Sequence, residues 1–166
     1  MAPNTPEEWT AYLRMCLDAN QLMVLATAGE DGLWVCPVFF AYDASFTQFF
    51  ISKPASRHMR NIEQENSVAC AVFDATQRPA GKVRGVQIAG RAHMVDVDEA
   101  RHAFDIYFSP THARTPVAPR GGALNYVRPT AEWRLVKISP DHIECFDEHH
   151  FSDGKTNVPV EIFKSV

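Results

Sequence analysis

Two apolar, β-rich runs, residues 33–42 and 46–52, lie either side of a polar turn at Asp43-Ala44-Ser45. Such a pair predicts an antiparallel hairpin. The second run ends at Lys53-Pro54-Ala55, and Ser56-Arg57-His58 then opens a helical pattern. A strand that hands over to a helix at Ser-Arg is a candidate anion site. Ser56 can cap the first turn, where free N–H groups and the helix dipole favour negative charge. Lys53, Arg57, His58 and Arg60 bring cationic groups to that place. The alternative is an ordinary capping serine followed by basic residues that face solvent. Pro37 lies inside the first run and cannot donate to a sheet ladder, so it marks an edge, a bulge or a break in the strand.

The flanking segments extend this pattern. Thr5-Pro6-Glu7-Glu8 is a helix start in which Thr5 caps, Pro6 suits the first helical position and Glu8 completes a capping box. Trp9, Tyr12, Leu13, Cys16 and Leu17 then share one apolar helical face, fit to pack on a sheet. Residues 21–28 predict a mostly buried strand, and Gly29-Glu30-Asp31-Gly32 a turn with two glycines for positive φ. Residues 56–66 predict a short helix with Met59 and Ile62 inward, and residues 68–74 a short buried strand. After a loop at 77–81, residues 82–95 form a long strand with Gly85 and Gly90, the kind of kinks that curl a sheet into a small barrel. Residues 96–109 predict another helix, capped by Asp96 or Asp98, with Ala100, Ala103, Phe104 and Tyr107 on one face. Residues 110–130 are a Pro/Gly-rich loop, long enough to be mobile or functional. Residues 132–138 and 142–147 predict two strands paired back around Ser139-Pro140-Asp141, and a polar, then weakly apolar tail follows.

Six or seven strands joined mostly by tight turns predict a mainly β, antiparallel barrel with a few peripheral helices, in one domain over residues 1–166. The net charge of −4 makes no electrostatic case for nucleic acid or an anionic membrane as partner. No apolar run approaches the ~20 residues of a membrane span. The start, MAPNTPEEW, lacks the basic and apolar regions of a signal peptide, and the four cysteines form no CxxC. A reducing cytoplasm is the expected location. The seven histidines show no HxH or HExxH spacing, so no metal centre is expected. Cys36 has no activating base nearby in the sequence and reads as an inert buried thiol. Phe39-Phe40 and Phe49-Phe50 must send neighbours to opposite faces, so a helix or a twofold partner has to cover the second face.

Three segments in order, residues 36–41 (CPVFFA), 51–58 (ISKPASRH) and 83–90 (VRGVQIAG), resemble the FMN-binding split-barrel, pyridoxamine 5'-phosphate oxidase-like family. Leu33-Trp34, Ser56-Arg57-His58 and the run Arg84 to Gln87 are similar to a small bacterial branch of it, and the likeness covers residues 21–147. The resemblance implies a six- to seven-stranded antiparallel split barrel that binds FMN. Cys36, Pro37, Val38 and Phe39 would run along the flavin ring and meet it through backbone. Ile51 and Ser52 would flank the ribityl chain, and Ser56 and Arg57 would bind the phosphate. His58 stands where the family often has Lys, so one phosphate contact is weakened or becomes pH-dependent. Arg84 and Gln87 would reach the site from a partner subunit, and Phe146 would lie near the ring. The implied protein is a homodimer with two shared sites, a flavin-dependent oxidoreductase acting on a small molecule. A flavin or haem binding module without turnover is the alternative on the same barrel, and a structural dimer with an empty cleft a third.

Overall fold

In the structure, a computed structural model that describes residues 2–78, 83–109 and 118–164, helix α1 spans Pro6–Asp18. Thr5 Oγ1 accepts from the Glu8 N–H at 3.2 Å, and Glu8 Oε2 accepts from the Thr5 N–H at 3.3 Å. The five apolar positions of its expected face are all buried. They pack on one antiparallel sheet made of β1 (Leu22–Gly29), β2 (Gly32–Phe39), β3 (Ala41–Tyr42), β4 (Gln48–Ser52), β5 (Ser67–Phe73), β6 (Arg84–Met94), β7 (Arg134–Asp147) and β8 (Lys155–Asn157). The strands follow the order β2-β1-β5-β6-β7-β4-β3, and β8 adds to β7. The two ends of that path are not paired with each other, so the barrel is split. Helices α2 (Arg57–Gln64) and α3 (Ala100–Tyr107) lie against it. Among the described residues no helix is long and apolar enough to cross a membrane.

Three expectations about strand pairing change. The run 33–42 does not form its hairpin with 46–52 as a whole. β2 turns back on β1 through Gly32, whose φ of +84° a residue with a Cβ would rarely adopt. Only Ala41 and Tyr42 pair with β4, so the chain changes sheet neighbours at Phe40. Gly29 does not supply a positive φ; it is small because a Cβ there would collide with the Asn61 side chain. Of the alternatives for Pro37, the edge holds, since β2 is an edge strand and can spare a donor.

The third change concerns residues 132–147, which form one continuous strand rather than two paired back. Both halves of β7 pair with β6, and the Ser139-Pro140-Asp141 signal marks only an irregularity in register opposite Ala89 and Gly90. Gly90 permits it, because a Cβ would strike the Ser139 carbonyl. The described part of the Pro/Gly-rich segment, residues 118–130, is also less irregular than expected. Residues 110–117 lie outside the described residues, as do 79–82 of the expected loop. Ala123–Tyr126 forms a 3-10 turn, and Tyr126 and Val127 are buried.

Alternation along the strands divides the apolar residues between two cores. Phe40, Phe50, Val136 and Ile138 fill the main one with α1, whereas Phe49, Leu135 and Val95 pack with Ala100 and Ala103 of α3. α1 is further tied to the sheet by a buried network. Tyr12 donates to Asp147 Oδ2 at 2.7 Å, the His149 N–H donates to Oδ1 at 2.8 Å, and His150 Nδ1 lies 2.8 Å from Oδ2. Asp147 has no exposed surface. Burial by itself would raise its carboxyl pKa, but the bonds from Tyr12, His149 and His150 together hold it below the ordinary value. Its stabilisation is therefore complete above the unfolded aspartate value of ~3.9 and is lost as pH falls through the lower folded value. Tyr12→Phe removes a bond to a buried charge and is expected to cost about 1.5–3 kcal/mol in urea unfolding at pH 7. Equal midpoints and slopes for the two proteins would exclude a stabilising role for the network.

Candidate functional site

Three contacts fix α2 against the β1–β2 turn. Asn61 donates to Thr27 Oγ1 at 3.0 Å, Gln64 Oε1 accepts from the Glu30 N–H at 3.1 Å, and Arg57 donates to the Asp31 carbonyl. The Arg57 guanidinium also lies 4.7 Å from the centre of the Trp34 ring on β2. Nη2 and the guanidinium plane thus have protein partners, while the buried Nε has none. Arg57 is held in place by the turn and keeps further N–H donors to offer.

At the first turn of α2, Ser56 sits in the N-cap position but does not cap. Its hydroxyl donates instead to the Lys53 carbonyl at 2.7 Å, which leaves the first-turn amides without that acceptor. Ser52 Oγ lies 3.1 Å from Ser56 Oγ and 2.6 Å from His58 Nε2, and Ser56 Oγ is 3.2 Å from the same nitrogen. His58 is only 9% exposed, with the Phe50 ring beside it. Burial holds its pKa below the usual histidine value. Two hydroxyls and a buried imidazole therefore meet where a strand hands over to a helix, with Arg57 the next residue along from Ser56.

The remaining expected residues are distributed by alternation. Cys36 and Val38 turn inward from β2, and burial raises the Cys36 thiol. Phe39 turns outward and is 50% exposed. Contact with a ligand along this strand would have to run through its unpaired backbone edge, as expected for Cys36, Pro37, Val38 and Phe39. Ile51 packs on the second core, away from Ser52, so only its backbone can border the cluster.

Arg84, Gln87 and Phe146 are not brought to the cluster. Arg84 pairs with Asp147 and Gln87 with Glu144, near the far end of β7, whereas Ser52 pairs with Arg134 at its start. Ten residues of strand separate the Arg134 and Glu144 positions, on the order of 30 Å at ~3.3 Å per residue. Phe146 packs on Gly85, where a Cβ would collide with its ring. Gln87 borders a shallow hollow of about 320 Å³ on the outer sheet face with Ala69, Ala71, Ala89, His142 and Glu144.

Arg134 is the residue that the motif left out. It lies opposite Ser52, and its Nε, like that of Arg57, is buried without a partner. The signal in the sequence was a charged first residue on an alternating strand, which is indistinguishable from a solvent-facing arginine until the register is known. Two buried N–H donors without acceptors, beside two hydroxyls, fit a bound anion such as the phosphate of a nucleotide cofactor.

The family model for pyridoxamine 5'-phosphate oxidase matches residues 9–136. No curated protein matches the chain in sequence. Among solved structures, a heme binding protein from Mycobacterium smegmatis superposes with a TM-score of 0.70 at 14% identity, covering 98% of this chain and 61% of its own. The heme storage protein HutZ from Vibrio cholerae gives 0.60 at 15% identity over 79% of this chain and 89% of its own. An FAD-binding protein from Mesorhizobium loti gives 0.58 at 19% identity over 80% and 90%. At these identities the likeness establishes the split-barrel fold.

The buried imidazole has a measurable consequence. A folded His58 that resists protonation leaves stability complete above the unfolded histidine value of ~6.5. Stability then falls as pH drops towards the lower folded value, because only the unfolded chain takes up the proton. His58→Gln is expected to flatten the fall of the urea midpoint as pH drops below the unfolded histidine value of ~6.5. Parallel pH profiles for both proteins would contradict this.

Proposed function

Because the chain belongs to the pyridoxamine 5'-phosphate oxidase family, we propose that it binds FMN and acts as an FMN-dependent oxidoreductase on a small molecule. The observation that carries the reading is the buried Arg57 Nε without an acceptor at the start of α2, beside Ser52, Ser56 and His58. A phosphate there would receive charge-assisted bonds from the guanidinium and hydrogen bonds from the hydroxyls. The free edge of β2 would meet the polar rim of the ring, and Trp34 would hold Arg57 in position. Bound FMN supplies the redox chemistry, and the residues of the chain bind it, orient it and keep water from its buried parts.

A homodimer completes this proposal. The outer sheet face bears Leu33, Val35 and Phe39, which are 82%, 57% and 50% exposed, together with Leu22 and Phe73. Register places these residues on one surface around Ala26, Ala69 and Ala71. Contiguous apolar surface of this kind marks an interaction site, and small residues let two sheets approach closely. A twofold copy seated there would bring the Arg84, Gln87 and Phe146 region of one subunit towards the α2 cluster of the other. That arrangement accounts for residues that one chain cannot gather. Haem is the rival ligand, favoured by the two structural relatives described as binding or storing heme.

Titration with FMN tests the reading. FMN absorbance near 450 nm in the purified or reconstituted protein is expected, and a Soret band after haem addition with no FMN binding would favour the rival. Arg57→Ala is expected to weaken FMN by about 1.5–3 kcal/mol and leave riboflavin, which lacks the phosphate, nearly unaffected. Equal FMN affinity in both proteins would remove Arg57 from the site. Sedimentation at micromolar concentration is expected to show a dimer that loses flavin on dilution; a monomer that keeps its flavin would rule out the shared site.

A further inference from the structure

We infer that Arg134 is a second phosphate-binding cation of this site and sets its preference for phosphorylated flavin, an inference that rests on the flavin reading above. Arg134 opens β7 directly opposite Ser52 on β4. Facing residues of antiparallel neighbours project to the same side, so Arg134 shares the Ser52 face. Its neighbours agree with this. Val136 and Ile138 are in the main core beyond it, while Trp133 and Leu135 pack on the second core. Lys53 goes the other way, with its Nζ 5.2 Å from the centre of the Trp133 ring.

The Arg134 Nε is buried and has no acceptor, and no carboxylate among the described residues pairs with its guanidinium. A guanidinium cannot relieve such a position by losing its proton. The Arg57 Nε is in the same condition on the opposite element. Arg134 faces Ser52 across the β4–β7 ladder, Arg57 follows Ser56 in the chain, and the two serine hydroxyls and the His58 imidazole are bonded to one another there. A phosphate dianion at this place favours fixed positive charge, and burial works against charge on His58. Arg57 from α2 and Arg134 from β7 supply the pair, each with planar donors suited to phosphate oxygens. Riboflavin leaves both arginines without their acceptor.

The test is a fluorescence titration of the full chain with FMN and with riboflavin, using wild type, Arg134→Gln and Arg134→Lys. A companion NMR experiment follows the arginine Nε–H signals of the wild type on addition of inorganic phosphate. Arg134→Gln is expected to weaken FMN roughly tenfold or more while riboflavin changes less than about twofold, and Arg134→Lys to recover only part of the loss. The Arg134 Nε–H signal is expected to move with phosphate. Equal loss for both flavins would reveal a merely structural role and overturn the inference, as would unchanged FMN affinity. If wild type takes no FMN, the flavin reading fails, and phosphate then decides on Arg134 alone. A shifted Nε–H signal retains it as an anion ligand, and an unmoved signal removes it.

Discussion

Side chains alternate along each strand, so a sheet curled round one core turns a second set of residues outward. This chain has more large apolar residues than its main core holds. Phe50 goes in, Phe49 goes out, and α3 with the Ala123–Tyr126 turn makes a second core over it. Phe40 goes in, but Phe39 goes out onto a part of the sheet that nothing else in the described chain covers. The fold is thus complete on one side and open on the other. The proposed dimer follows from that difference.

The same alternation shapes the proposed anion site. β4 ends with Ser52 facing inward, which places its hydroxyl under the start of α2, and β7 begins with Arg134 on the same face. α2 is held by Asn61, Gln64 and Arg57 on the β1–β2 turn, so its first turn has a fixed position relative to both strands. In the proposed phosphate site the imidazole is buried, and burial lowers its pKa. Positive charge would then come from guanidiniums, whose protonation does not depend on pH. The histidine then serves through hydrogen bonding to Ser52, and its charge state ties stability to pH at the mildly acidic end.

Much of the fold was legible in the sequence where local chemistry decides structure. The Thr5 capping box and the apolar face of α1 were both as read, because caps and helical spacing act within a few residues. The long glycine-kinked strand β6 was equally plain, and its Gly90 does meet a close backbone neighbour. Pairing was harder. Ser139-Pro140-Asp141 has the composition of a hairpin turn, yet it lies within one strand because β6 is long enough to pair with both halves. The 33–42 run paired backwards with β1 because the Gly32 turn, at φ +84°, was the tighter local instruction. At the site, Ser56, Arg57 and His58 were legible as a motif, but the Ser56 hydroxyl does not cap, and the aromatic support from Trp34 depends on tertiary contact. Arg134 was invisible because its meaning lies in register alone.

The central claim is that one chain carries two parts of one flavin site, at opposite ends of the β6–β7 ladder, and that a second copy unites them. Hydrogen exchange of the full chain with and without saturating FMN tests it most directly. Slowed exchange is predicted at two separate places, the first turn of α2 around Ser56 and Arg57 and the β6 segment around Arg84 to Gln87. Protection confined to the α2 end would place the flavin within a single chain and contradict the shared site.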